Sequence, residues 1–159
     1  MKKETIEESK FKDISLEVFD KSTPLRGNNK KAQIVGIKVN ENGNVTCEVI
    51  EESPDVYNLF DYVKEDSEIM SKIGEYDMIS ILTAGWAAPV NEDGNDNLAP
   101  SQHPERKRVL ISIMGYTLNQ ISSVMAFEGE DVDHHYDYNK GQGALRDAFD
   151  ELLIQLNWR

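Results

Sequence analysis

Two arginines spaced two apart, Arg106 and Arg108, follow His103-Pro104-Glu105 in the one basic island of an otherwise acidic chain. On an extended strand such a pair points to one face, where two guanidinium groups can grip a carboxylate or a phosphate. His103 adds an imidazole that titrates near neutral pH. Upstream lies Thr83-Ala84-Gly85-Trp86-Ala87-Ala88-Pro89. Its small residues let backbone pass close to a ligand, and Trp86 supplies a large amphipathic anchor. Trp86, His103, Arg106 and Arg108 therefore form the first candidate site, one for a small anionic ligand. The competing structural explanation is that Trp86 caps the core while the arginines pair with surplus surface carboxylates.

The run Glu128-Gly129-Glu130-Asp131-Val132-Asp133-His134-His135-Tyr136-Asp137 is the second candidate. Asp131, Asp133, His134 and His135 are carboxylates and imidazoles dense enough for a cation. The run is not an EF-hand, because Tyr136 and Gln142 stand where that loop needs glycine and glutamate. On a strand, adjacent His134 and His135 point to opposite sides, and a solvated acidic loop explains the run equally. Gly141-Gln142-Gly143, ahead of a helical stretch, is a third candidate, since amides at a helix start attract anions. It lacks the spacing of a phosphate-binding loop or a dinucleotide fingerprint. No Gly-x-Ser-x-Gly elbow or other nucleophile set stands out, and no cofactor fingerprint is legible.

The elements that must hold these groups follow from periodicity. Residues 1–12 read as a flexible arm or a short helix. Ile14, Leu16 and Val18 alternate with polar neighbours, predicting a strand over 13–20, with a loop over 21–31. Val35, Ile37, Val39 and then Val45, Cys47, Val49 alternate about Asn42-Gly43, which predicts a hairpin with two positive-φ turn residues. Ser53-Pro54 reads as a helix start, followed by one broken helix or two short ones ending near Gly74. Residues 76–82 read as a strand covered on both faces, and 106–114 and 120–127 as a hairpin. Val109, Ile111 and Ile113 share one face of its first strand, and Ile121, Ser123, Met125 and Phe127 one face of the second. Residues 128–142 read as irregular. Leu145, Ala148, Phe149, Leu152, Leu153 and Leu156 mark a final amphipathic helix.

This order predicts one α+β domain over 13–159: a single, mainly antiparallel sheet of about five strands with helices packed on one face, a profilin- or PAS-like layout. Fold alone gives no function.

Gly85-Trp86-Ala87-Ala88-Pro89, His103-Pro104-Glu105-Arg106-Lys107-Arg108-Val109 and Gly143-Ala144-Leu145-Arg146-Asp147-Ala148 together resemble a family of small uncharacterised actinobacterial and actinophage proteins. There a Gly-Trp-Ala block precedes a His-Pro-x-Arg-x-Arg-Val strand. The resemblance spans roughly residues 54–156 and implies that 83–108 act as one unit, without implying a reaction, cofactor or ligand. The Asn/Asp-rich run at 91–97 and the Lys-, Asn- and Ile-rich composition depart from the pattern, as a phage or an unusual host would.

Charge limits the partners. With 29 acids against 17 bases the chain carries a net charge of −12, so it repels phosphate backbones and anionic headgroups. Non-specific nucleic-acid binding and membrane adsorption are not expected. A lone Cys47 excludes an internal disulfide. Met1-Lys2-Lys3-Glu4 opens no apolar signal segment, so a cytoplasmic setting is the expectation. These observations point to a binding module, for a small anionic ligand or a protein partner, rather than an enzyme. The alternatives are an acidic inhibitor of the DNA-mimic type and a metal-dependent hydrolase using the second candidate.

Overall fold

The structure is a computed structural model, and it describes residues 3–26, 31–87, 107–127, 134–141 and 143–159. Its elements run α1 (Glu8–Arg26), β1 (Ala32–Val39), β2 (Val45–Ser53), α2 (Val56–Glu65), α3 (Ser67–Ile73), β3 (Met78–Ala87), β4 (Lys107–Thr117), β5 (Gln120–Phe127), β6 (His135–Tyr138) and α4 (Ala144–Leu156). The strands form one antiparallel sheet in the order β2-β1-β3-β4-β5-β6. The predicted α+β class with a single antiparallel sheet is therefore the observed one. Among the described residues no helix is long and apolar enough to cross a membrane.

Alternation along the strands supplies both faces. Ile34, Ile79, Ile81, Ile113 and Ile121 point one way and bury against Leu59, Phe60, Val63, Ile73, Phe149, Leu152 and Leu153 from α2, α3 and α4. Val35, Ile37, Met78 and Met114 point the other way, against Phe11, Ile14 and Val18 of α1. Helices thus cover both faces, not one as the sequence reading had it.

The cause is α1. Phe11, Ile14, Ser15, Val18, Phe19 and Ser22 are buried at spacings of three and four, a helical stripe. Counting Ser15 and Ser22 as solvent residues hid it and left Ile14-Leu16-Val18 looking like a strand. The helix also takes in Glu8–Lys12, expected as arm or short helix, and Lys21–Arg26, expected as loop. Ahead of it, Lys3 Nζ sits 3.4 Å from the Trp158 ring centre and donates to Asp77 O at 2.6 Å, while Gln120 accepts from the Ile6 amide at 2.9 Å.

Three further local readings change. The β1–β2 turn holds only Gly43 at positive φ (81°), because Asn40 stabilises it by accepting from the Asn42 and Asn44 amides. Ile34 faces Glu51 and Val35 faces Val49, so Ile50 is the extra residue of a bulge. The cap of α2 is Asp55, not Ser53: its carboxylate accepts from the Tyr57 and Asn58 amides. Two helices follow, split at Asp66, whose carboxylate caps α3.

The sixth strand, β6, lies inside the segment read as irregular. It pairs with β5 through Ser122–Tyr138, Ser123–Asp137, Val124–Tyr136 and Met125–His135. Only four residues long, it gives too short an alternation to stand out from its acidic surroundings.

Candidate functional site

The hairpin predicted over 106–127 is present. It sets Ile111 and Ile113 of β4 beside Ile121, Ser123 and Met125 of β5 on the face that α4 partly covers. Gly115 fixes how closely α4 comes down: a Cβ there would lie 2.6 Å from Cε1 of Phe149. Phe149 therefore seats on bare backbone. One turn earlier, Leu145 and Arg146 stand over the outer part of the β4–β5 face. Adding β6 widens that face by Asp137, the register partner of Ser123.

Between these elements lies a cavity of about 300 Å³. Its apolar walls are Ile111, Ile113, Ile121, Met125 and Leu145; Ser123, Asp137, Asn139, Gly141 and Arg146 bring polar atoms to it. Asn139 spends its side chain on the frame. Its Oδ1 accepts from the Ile121 amide at 2.8 Å, and its Nδ2 donates to Asn119 O at 2.7 Å. A left-handed backbone at Asn139 (φ 57°) allows this clamp. Arg146 is held too: Nε donates to Asp150 at 3.0 Å and Nη1 to Gly141 O at 3.4 Å.

Asp137 and Ser123 differ from these. Among the described residues neither side chain makes a hydrogen bond or ion pair, and Asp137 and Arg146 line one cavity without pairing with each other. A partly buried carboxylate without a partner has lost hydration for no compensating bond. Such a group suits a donor arriving from outside.

The residues singled out in the sequence are placed differently. Trp86 and Arg108 are register partners on β3 and β4, so the tryptophan stretch and one arginine do meet across neighbouring strands. For Trp86 this statement concerns backbone register alone. Arg108 has interactions of its own. His103 and Arg106 lie outside the described residues. So do Asp131 and Asp133.

His134 and His135 diverge, as adjacent strand residues should. His134 stacks edge-on against Phe19 of α1 at 4.7 Å, with Nε2 3.5 Å from Asp20; His135 meets Phe127 at 5.0 Å. The structure does not bring the two imidazoles to one point. Among the described residues no group of three His, Cys, Asp or Glu side chains could hold a metal ion.

Other titrating groups sit away from the cavity. Burial pushes the Cys47 thiol up. Tyr76 is pushed up to about 12 by burial and by Glu48, whose carboxylate accepts its hydroxyl proton. Burial lowers the Lys3 ammonium to about 8 against the opposing pull of Asp77.

The sequence reading passed over Ser123, Asp137 and Arg146 as a set. Ser123 was visible as the one polar residue on the Ile121-x-Ser123-x-Met125 face. Asp137 was submerged in an acidic run, and Arg146 gave no signal until α4 was docked. Comparison with known proteins finds no matching family model, no matching curated protein and no matching solved structure.

Proposed function

We propose that this protein is a small-ligand-binding module whose site is the cavity between the β4–β6 part of the sheet and the first turn of α4. The observation that carries the reading is a roughly 300 Å³ apolar hollow fringed by a few convergent polar groups, two of them without partners among the described residues. Pockets for small molecules have this composition, and the volume is at the lower end of their range. The ligand is therefore of metabolite size, not a polymer. A net charge of −12 agrees with exclusion of nucleic acid.

The reading assigns binding and no bond-making step, because the cavity holds neither a nucleophile–base pair nor a cluster of acids. The test is a small-molecule screen by amide and methyl NMR. Ligands should shift the signals of Ile121, Ser123, Met125, Asp137, Leu145 and Arg146 together. Filling the hollow with Ser123→Phe should abolish those shifts while leaving the β1–β2 signals unchanged. Hits that shift other regions alone, or that survive Ser123→Phe, would reject the site.

A further inference from the structure

The cavity is lined by polar groups of both signs together with apolar side chains. Asp137 and Ser123 face each other in register on β6 and β5, and both are unpartnered among the described residues. Arg146 stands across from them on α4. Its Nε and Nη1 donate to Asp150 and Gly141, and its Nη2 makes no hydrogen bond among the described residues. Asp137 and Arg146 line the same space without neutralising each other.

We infer that the ligand is a free α-amino acid with an aliphatic or thioether side chain; this rests on the small-ligand reading above. The ammonium group donates to the Asp137 carboxylate and the Ser123 hydroxyl. The carboxylate accepts from Arg146. Between them the side chain lies on Ile111, Ile113 and Met125. A carboxylate facing an ammonium and a guanidinium facing a carboxylate are charge-assisted contacts, the stronger kind of hydrogen bond. An amine alone would leave the remaining Arg146 donors unused, and a fatty acid alone would set its carboxylate against Asp137. A molecule carrying an ammonium and a carboxylate on one carbon, with an apolar tail, meets both the polar and the apolar lining.

The probes are L-leucine, leucinamide, N-acetyl-leucine and 3-methylbutan-1-ol, titrated into the full chain by calorimetry with thermal shift in parallel. L-leucine should bind. Leucinamide, which lacks the carboxylate, and N-acetyl-leucine, which lacks the ammonium, should each bind at least tenfold more weakly. Asp137→Asn should weaken L-leucine at least tenfold and leave its weak binding of N-acetyl-leucine unchanged or improved. The melting temperature of that variant should stay near wild type, because Asp137 has no partner to lose among the described residues. Should the alcohol or another uncharged molecule bind the cavity as well as L-leucine, the amino-acid assignment is overturned and the small-ligand reading stands. Should no probe bind, and the NMR screen above find no ligand for these residues, both fall. Equal L-leucine affinity in wild type and Asp137→Asn would likewise overturn the assignment.

Discussion

The two faces of the sheet are built from different materials. Under α2, α3 and α4 the contact is dry and apolar, a continuous cluster running from Ile34 through Phe60 and Phe149 to Trp158. Under α1 it is interrupted. The apolar residues fall into two groups, one around Phe11 and Met114 and one around Phe19 and Leu82. Buried serines share this side: Ser15 and Ser22 on the helix, and Ser80, Ser112 and Ser122 on β3, β4 and β5. Ser15 Oγ lies 2.7 Å from Ser122 Oγ and 2.8 Å from Phe11 O. Small hydroxylated residues let a helix approach a sheet closely but remove little apolar area from water, and burial stabilises in proportion to that area. The three-helix face should therefore carry most of the stability, while the α1 face fixes position. The candidate cavity opens on the first of these, where the apolar cover of α4 runs out before the sheet does.

The largest effect tests that division directly. Phe149→Ala removes a fully buried ring that meets Phe60 edge-on at 6.4 Å and seats on Gly115. Its cost should be about 3–5 kcal/mol, read from the midpoint of urea unfolding. Phe11→Ala, equally buried on the α1 face, should cost less, because hydroxyls share its surroundings. A cost at Phe11 equal to or above that at Phe149 would break the comparison.

Next in size is the seat itself. Gly115→Ala would place a methyl 2.6 Å from Phe149 Cε1 and 3.0 Å from Leu153 Cδ1, so the Phe149 ring or α4 itself must shift. Overpacking of this kind costs about 1–3 kcal/mol. Because the first turn of α4 roofs the cavity, a variant in which the helix lifts should also weaken any ligand found there, and the same titrations would show it.

How much of this was readable beforehand divides along the same line. The apolar face announced itself: the β1–β2 hairpin, the α4 stripe and the shared face of Ile121, Ser123, Met125 and Phe127 follow from alternation and from spacings of three and four. The serine face did not. Ser15 and Ser22 complete the α1 stripe, yet a serine scores as a surface residue unless its burial is known. Three alternating residues, Ile14, Leu16 and Val18, turned the helix into a predicted strand. The site suffered from the same blindness. Its groups come from β5, β6 and α4, which are adjacent only once β6 has been added to the sheet edge. The clusters that stood out in sequence were dense in charge, and density along the chain is not convergence in space: His134 and His135 are neighbours that face apart.

A smaller effect probes the serines. Ser15 gives its one hydroxyl proton to Phe11 O, so Ser122 must be the donor in the Ser15–Ser122 contact. Ser122→Ala then leaves Ser15 bonded and should cost about 1 kcal/mol. Ser15→Ala strands the Ser122 hydroxyl in a buried site and should cost about 1–3 kcal/mol. The double variant should cost less than the sum of the two. A strictly additive cycle would show that the two hydroxyls do not act as a pair.

The smallest expected effect compares one tyrosine from each face at high pH. Tyr76 lies on Gly36, with a Cβ there only 2.7 Å from its ring, and donates its hydroxyl to Glu48. Burial first, and the Glu48 carboxylate second, push it up to about 12. On the α1 face burial also raises Tyr136, against a weak opposing influence of Ser15, whose hydroxyl is already committed; the Tyr136 hydroxyl has no hydrogen-bond partner of normal geometry among the described residues. In the unfolded chain both ionise near the ordinary value of about 10. Between that value and the higher folded one, the unfolded state has released a proton that the folded state keeps. Stability present below pH 10 is therefore lost as the pH climbs toward 12. Tyr76→Phe should flatten that decline, seen in denaturation midpoints from pH 9 to 11.5, more than Tyr136→Phe does. At neutral pH the order should reverse in sign: Tyr76→Phe removes a satisfied hydroxyl and destabilises, whereas Tyr136→Phe removes an orphaned one and should be neutral or stabilising. A destabilised Tyr136→Phe protein would mean that this hydroxyl is bonded after all, and that the α1 face is better knit than its broken clusters imply.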